Sequence, residues 1–153
     1  MTLEQQQVQL SRRYRFSASH RLHVDHLGVE RNRELFGKCN NPFGHGHNYV
    51  VQVTVSGPVD ASTGMVVNLA DIDAFAQREL LTRFDYANLN EDEAFREAVP
   101  STENLCVALW QLFARFVDEG HPGLRLRRIR VEETYNNAFD YFGEGAPVLS
   151  VEA

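Results

Sequence analysis

From His45 to Val55 the chain alternates, with the apolar Val50 as the one residue out of phase. His45, His47, Tyr49, Val51, Val53 and Val55 occupy every second position. A period of two sustained this long requires a strand with one buried face, because successive side chains of an extended chain point to opposite sides. Register is fixed with it, since a one-residue slip would turn the whole apolar set to solvent. The buried face therefore opens with two imidazoles. Alternate residues of a strand lie about 6–7 Å apart along the chain, so His45 and His47 can converge on one ion. Cys39 stands six residues before His45. A thiol and two imidazoles this close together read as a metal site or as a reactive cysteine beside one. Zinc is the first candidate, because imidazole nitrogen suits it and catalytic sites keep three protein ligands and one open position.

A second alternating segment covers residues 13–20. Tyr14, Phe16, Ala18 and His20 share one face, and Arg13, Arg15, Ser17 and Ser19 share the other. Residues 21–44 are polar and rich in Asn and Gly, and read as a long loop of the functional kind. After turn signals at Gly57-Pro58 and Ser62-Thr63-Gly64, a helix is expected over about 69–83. Asn68 is its N-cap, and Ile72, Phe75, Ala76 and Leu80 form its apolar stripe. A second helix follows Pro100-Ser101, with Leu105, Leu109, Leu112, Phe113 and Phe116 at a 3.6-residue period. Strands are expected at about 124–133 and 137–142, and a short fifth at 148–151. The order β-β-α-α-β-β predicts an α+β fold: a four-stranded antiparallel sheet with two helices on one face. Residues 1–10 are expected to be a mobile tail and 11–153 one domain.

Composition narrows the function. The chain has 153 residues, 43% of them hydrophobic, enough for one core. Its net charge is −6 and its pI about 5.5, unlike a non-specific nucleic-acid binder. No apolar run approaches a membrane span. The N-terminus lacks the basic and apolar regions of a signal peptide. Two cysteines far apart do not make a disulfide scaffold. These features lead us to expect a reduced, cytoplasmic setting with no nucleic-acid or membrane partner.

Three constellations carry chemistry. His20, His45 and His47 lie in phase with apolar strand faces, where burial is costly unless their nitrogens are satisfied. A set of these three with Cys39 as fourth ligand would be a closed structural site, and spacing leaves that alternative open. Cys39 follows Lys38, and a neighbouring cation or metal would favour its thiolate. Cys106, in an apolar helix, reads as a small core residue. Glu133 closes the apolar face of Ile129 and Val131. It is either a frayed strand end in water or a carboxylate that needs a cationic or multi-donor partner. The arginines opposite, Arg128 and Arg130, read most simply as a solvated face, with attraction of an anionic substrate as the alternative.

Several stretches together carry a family resemblance. They are Phe16-Ser17-Ala18-Ser19-His20-Arg21-Leu22, Leu35-Phe36-Gly37-Lys38-Cys39-Asn40-Asn41-Pro42, His47-Asn48-Tyr49, Thr63-Gly64-Met65-Val66, Asn68-Leu69-Ala70-Asp71, Ser101-Thr102-Glu103-Asn104 and Glu133-Thr134-Tyr135-Asn136-Asn137. Over about residues 11–144 the chain resembles the 6-pyruvoyl-tetrahydropterin synthases and is similar to the related 6-carboxy-tetrahydropterin synthases. The resemblance implies a tunnelling fold, with trimers that close a barrel and stack in pairs, and active sites at subunit interfaces. It implies zinc on His20, His45 and His47, Cys39 as general base, Glu133 as holder of the pterin edge, and Thr102 as a pterin contact. The implied activity is a zinc-dependent phosphorus–oxygen lyase that converts 7,8-dihydroneopterin triphosphate to 6-pyruvoyl-tetrahydropterin and releases triphosphate. The C-x₅-H-x-H spacing looks like the pyruvoyl-type enzymes. The rival readings are the 6-carboxy reaction and a pterin-binding protein with weakened catalysis. The last is motivated by a departure: the family pairs Asp with His as a proton relay, and here Asp85 is followed by Tyr86. Tyrosine titrates near ~10 and histidine near ~6.5, so the replacement makes a poorer shuttle at neutral pH.

Overall fold

A computed structural model describes residues 6–145. Strand β1 (Gln7–His20) and strand β2 (His45–Pro58) form a long antiparallel ribbon, in which His20 faces His45 and Phe16 faces Tyr49. Strand β4 (Arg125–Glu132) pairs antiparallel with β2, and β5 (Ala138–Tyr141) with β4. A two-residue strand, β3 (Ala87–Asn88), runs parallel to β1 at its outer edge. The sheet thus has five strands in the order β3-β1-β2-β4-β5 rather than the expected four. β3 escapes a periodicity reading because two residues carry no period. The expected strand at 148–151 lies outside the described residues. Gln7–Leu10 also depart from expectation: they pair with Pro58–Val55 and belong to the sheet, not to a tail.

Both long helices lie against one face. The first runs as α2 (Leu69–Phe75), a π segment over Ala76–Leu81, and a closing turn, α3 (Thr82–Phe84). Asn68 caps it by accepting from the Ala70 amide, as its position predicts. At the end of the π segment the Gln77 carbonyl accepts both the amide and the Oγ1 hydroxyl of Thr82, five residues on. Helix α4 (Thr102–Asp118) is capped by Ser101 and buries Leu105, Leu109, Leu112, Phe113 and Phe116. These residues meet the sheet face of Phe16, Tyr49, Val51, Val53, Ile129 and Val131 in one core. Phe84 packs on Phe16 with ring centroids 5.9 Å apart, and Phe113 stacks on Tyr14 at 6.2 Å. Among the described residues no helix is long and apolar enough to cross a membrane.

The segment expected to be a loop is folded. It contains a short turn at Asp25–Leu27, helix α1 (Gly28–Phe36) and a 3₁₀ turn at Gly37–Asn40. Two buried asparagines hold it. Asn32 donates to the Val24 and Gly28 carbonyls and accepts from the Val24 amide. Asn40 donates to the Leu22 carbonyl and to His23 Nδ1. Side-chain amides that mimic backbone partners replace a hydrophobic stripe, so no apolar period marks this helix.

Candidate active site

The pairing of β1 with β2 creates the site. Because His20 stands opposite His45, and His47 is two residues along the same face, three imidazoles meet at one end of the sheet. Their ligand atoms all lie within 4.8 Å of one another. His20 is buried, and its Nδ1 lies 2.9 Å from the Pro100 carbonyl. A carbonyl only accepts, so this nitrogen carries the proton and Nε2 presents a lone pair. That Nε2 lies 3.0 Å from His45 Nε2. His47 Nε2 is buried and has no hydrogen-bond partner. An orphaned buried nitrogen beside two converging ones is the arrangement a metal satisfies. Tetrahedral zinc with Zn–N bonds of about 2.0–2.1 Å sets its ligand nitrogens about 3.3 Å apart, beside the 3.0 Å between His20 and His45 and the 4.8 Å limit of the whole set. Burial lowers the pKa of His20 and of His47, so both are biased to the neutral, ligating form. The thiol of Cys39 is not among the converging atoms, which separates it from the ligand set.

Cys39 is delivered by backbone. Its carbonyl accepts from the Leu22 amide at 2.7 Å, which seats the Gly37–Asn40 turn just past His20. Burial first, and the Glu133 carboxylate second, push its thiol above the ordinary value. This reverses the expectation that Lys38 would depress it, since Lys38 is exposed and its charge is screened by water. Cys106 is buried in α4, where desolvation pushes its thiol up to about 12, as suits a core residue.

Glu133 is not a frayed end. Its Oε1 accepts from the Thr102 hydroxyl at 2.6 Å and lies 3.6 Å from His47 Nε2 and 3.9 Å from His20 Nε2. Thr102 is buried at the start of α4, so its hydroxyl acts here by holding the carboxylate. Asp85 and Tyr86 lie apart, at the β1–β3 edge. The Asp85 carboxylate accepts from the Ser17 amide at 2.9 Å, and the Tyr86 amide donates to the Ser17 carbonyl. Tyr86 has a left-handed backbone (φ 57°), and its side chain is 90% exposed. It borders a groove of about 580 Å³, whose walls include His47, Ser17, Ser19, Asn48 and Asn88.

Sequence reading missed Pro100, which orients His20 through a carbonyl, a group common to every residue. It also missed Gly44, although a Pro-Phe-Gly turn was a fair signal. Gly44 has φ +70°, and a Cβ there would lie 2.4 Å from the His20 carbonyl oxygen. Gly44→Ala is expected to cost about 1–3 kcal/mol through strain and to shift His45 relative to His20. Urea denaturation and zinc titration check it, and an unchanged midpoint with unchanged metal affinity would refute the close approach.

Comparison with known proteins agrees with this geometry. The family model for 6-pyruvoyl tetrahydropterin synthase matches residues 9–144. The human protein named 6-pyruvoyl tetrahydrobiopterin synthase is 46% identical over 139 residues, covering 90% of this chain and 93% of its own length. The Drosophila melanogaster protein of the same name is 42% identical over 88% of this chain and 79% of its own. The solved structure of the Caenorhabditis elegans 6-pyruvoyl tetrahydropterin synthase superposes with a TM-score of 0.81 at 38% identity, covering 90% of this chain and 96% of that one. The α+β sheet, the order of the motifs along it and these relatives agree: the chain belongs to the 6-pyruvoyl tetrahydropterin synthase family.

Proposed function

We infer that the protein is a zinc-dependent lyase of the 6-pyruvoyl type. It acts on 7,8-dihydroneopterin triphosphate, expels triphosphate, and yields 6-pyruvoyl-tetrahydropterin. The observation that carries this reading is the convergence of His20, His45 and His47 within 4.8 Å, with Glu133 3.6 Å from His47. His20, His45 and His47 would hold the zinc, which would supply Lewis-acid polarisation of the substrate side chain. Cys39 takes and returns protons as the side chain rearranges. Glu133 accepts the paired N–H donors of the pterin's guanidine-like edge, and Thr102 keeps its carboxylate aimed.

A second copy of the chain completes the site in this reading, as a trimer or a pair of trimers. Phe43, Tyr86 and Tyr135 are exposed aromatics placed around the histidines, and aromatic side chains are the usual anchors of an interface. Both edge strands, β3 and β5, are short. Sedimentation velocity at micromolar concentration checks the assembly, and a monomer there would count against it.

Incubation with dihydroneopterin triphosphate, followed by mass spectrometry, is the deciding experiment. The pyruvoyl product with one triphosphate per turnover is expected, and a 6-carboxy product with acetaldehyde would overturn the assignment. Tight pterin binding with no triphosphate release would favour the pterin-binding alternative. Tyr86→His tests the relay position. It is expected to raise kcat several-fold and to move the rate maximum toward neutral pH, whereas an unchanged pH profile would show that position 86 is not limiting.

A further inference from the structure

The sheet face turned away from the helices carries a charge pattern that the histidine site does not use. On β1 it presents Arg13 and Arg15, and on β4 Arg128 and Arg130. Between them β2 presents Val50, Gln52 and Thr54, all uncharged. Register sets the rows: Arg13 lies across Gln52 from Arg130, and Arg15 lies across Val50 from Glu132. β1 and β4 are separated by one strand, so the two arginine columns stand about 10 Å apart across a neutral floor.

Among the described residues the face has two carboxylates, Glu132 and Asp140, against these four guanidinium groups. They engage three of the four, and the Arg13–Glu132 pair spans β2 from one wall to the other, which leaves Arg15 as the uncommitted group. Arg130 gives Nη1 to Asp140 at 2.7 Å, and Arg13 reaches Glu132 at 3.2 Å. Arg128 stands 3.6 Å from Asp140, and its buried Nε has no hydrogen-bond partner. Arg15 is exposed, and no carboxylate pairs with it among the described residues. A cationic surplus on one face of a chain whose net charge is −6 is a local excess that the composition does not require. Guanidinium groups left with free, forked donors match the oxygens of phosphates better than they match water.

We propose that this trough binds a condensed phosphate, inorganic triphosphate in particular, between Arg15 and Arg13 on one wall and Arg128 and Arg130 on the other. The choice of triphosphate rests on the proposed reaction, which expels that group. The affinity of the face for a condensed phosphate does not depend on turnover. Asp140 faces the β4 wall and Glu132 pairs with Arg13 from the row of Arg15, so the anion seats first on Arg15 and displaces Glu132 from Arg13. Glu91 lines the neighbouring groove and argues against a phosphate seated there.

Calorimetric titration of the zinc-loaded protein with sodium triphosphate tests the site, because it requires no catalysis. Binding is expected to weaken about three- to tenfold in Arg15→Gln, further in Arg15→Glu, and on raising salt from 0.05 to about 0.3 M. Among the described residues the Arg15 side chain makes no hydrogen bond or ion pair, so both variants should melt with the parent protein. Triphosphate also chelates zinc, so the same titration is run on His45→Ala. Affinity kept in His45→Ala and lost in the Arg15 variants supports the trough. Affinity lost in His45→Ala and kept in the Arg15 variants, or no binding to the parent protein, overturns it. Turnover with an inert arginine face would sink this site and leave the lyase standing, whereas binding without turnover would do the reverse.

Discussion

Replacement of His47 with alanine is expected to remove the metal and to lower kcat at least about a thousandfold, equivalent to about 4 kcal/mol of transition-state stabilisation. His47 is the most informative of the three ligands to change. Its Nε2 is buried and makes no hydrogen bond, so the protein loses little else when the ring is cut away. His20 is tied to Pro100 and buried in the core, and its loss would confound metal binding with folding. The alanine variant should therefore keep its melting behaviour in the metal-free state while its zinc content falls below stoichiometry. Metal analysis and steady-state kinetics check both statements. A variant that retains zinc and full turnover would show that the triad is not the metal site.

The second large effect is expected at Cys39. Cys39→Ala should lower kcat by about 10²- to 10⁴-fold, the usual contribution of a positioned acid–base group, while zinc remains bound. Metal retention separates the two roles the sequence leaves open for this residue, since a fourth ligand would take zinc with it. The pH dependence follows from the thiol's surroundings. Burial and the Glu133 carboxylate both disfavour the thiolate, so the folded, metal-free protein holds the proton to higher pH than a free cysteine does. Alkylation by iodoacetamide should accordingly rise with pH later than for a model thiol. Glu133→Gln removes one of the two causes and should move that rise to lower pH, and zinc, a cation in the same pocket, should move it the same way. Cys106, pushed up to about 12 and buried, should stay unmodified. A Cys39 titration that ignores both Glu133 and the metal would mean that the thiol does not face the site.

The two asparagine clamps and the Gly44 turn explain why the region between the first two strands misleads a reader of sequence. Hydrophobic periodicity detects elements that bury a stripe, and α1 buries only Asn32. Its stability comes from amide hydrogen bonds to the Val24 and Gly28 carbonyls, which leave no period behind. Strand β3 is invisible for a different reason, being two residues held at the sheet edge next to the contacts between Tyr86 and Ser17.

What could be read from the sequence alone was whatever repeats along the chain. The alternation from His45 to Val55 demanded a buried strand face that opens with imidazoles, and the stripes through Ile72 and Leu105 demanded two helices to cover it. Those local rules also placed His20, His45 and His47 on apolar faces. The tertiary structure decided what lies opposite what. Pairing of Ala18 with His47 and of His20 with His45 turned three residues on two strands into one site. It set Glu133 against Thr102 and His47, drew Cys39 in beside Leu22, and raised rather than lowered its thiol. It also lined up arginines from β1 and β4 across a neutral strand. Periodicity is a property of neighbours in the chain, whereas a pKa, a ligand set or a charged trough depends on neighbours in space.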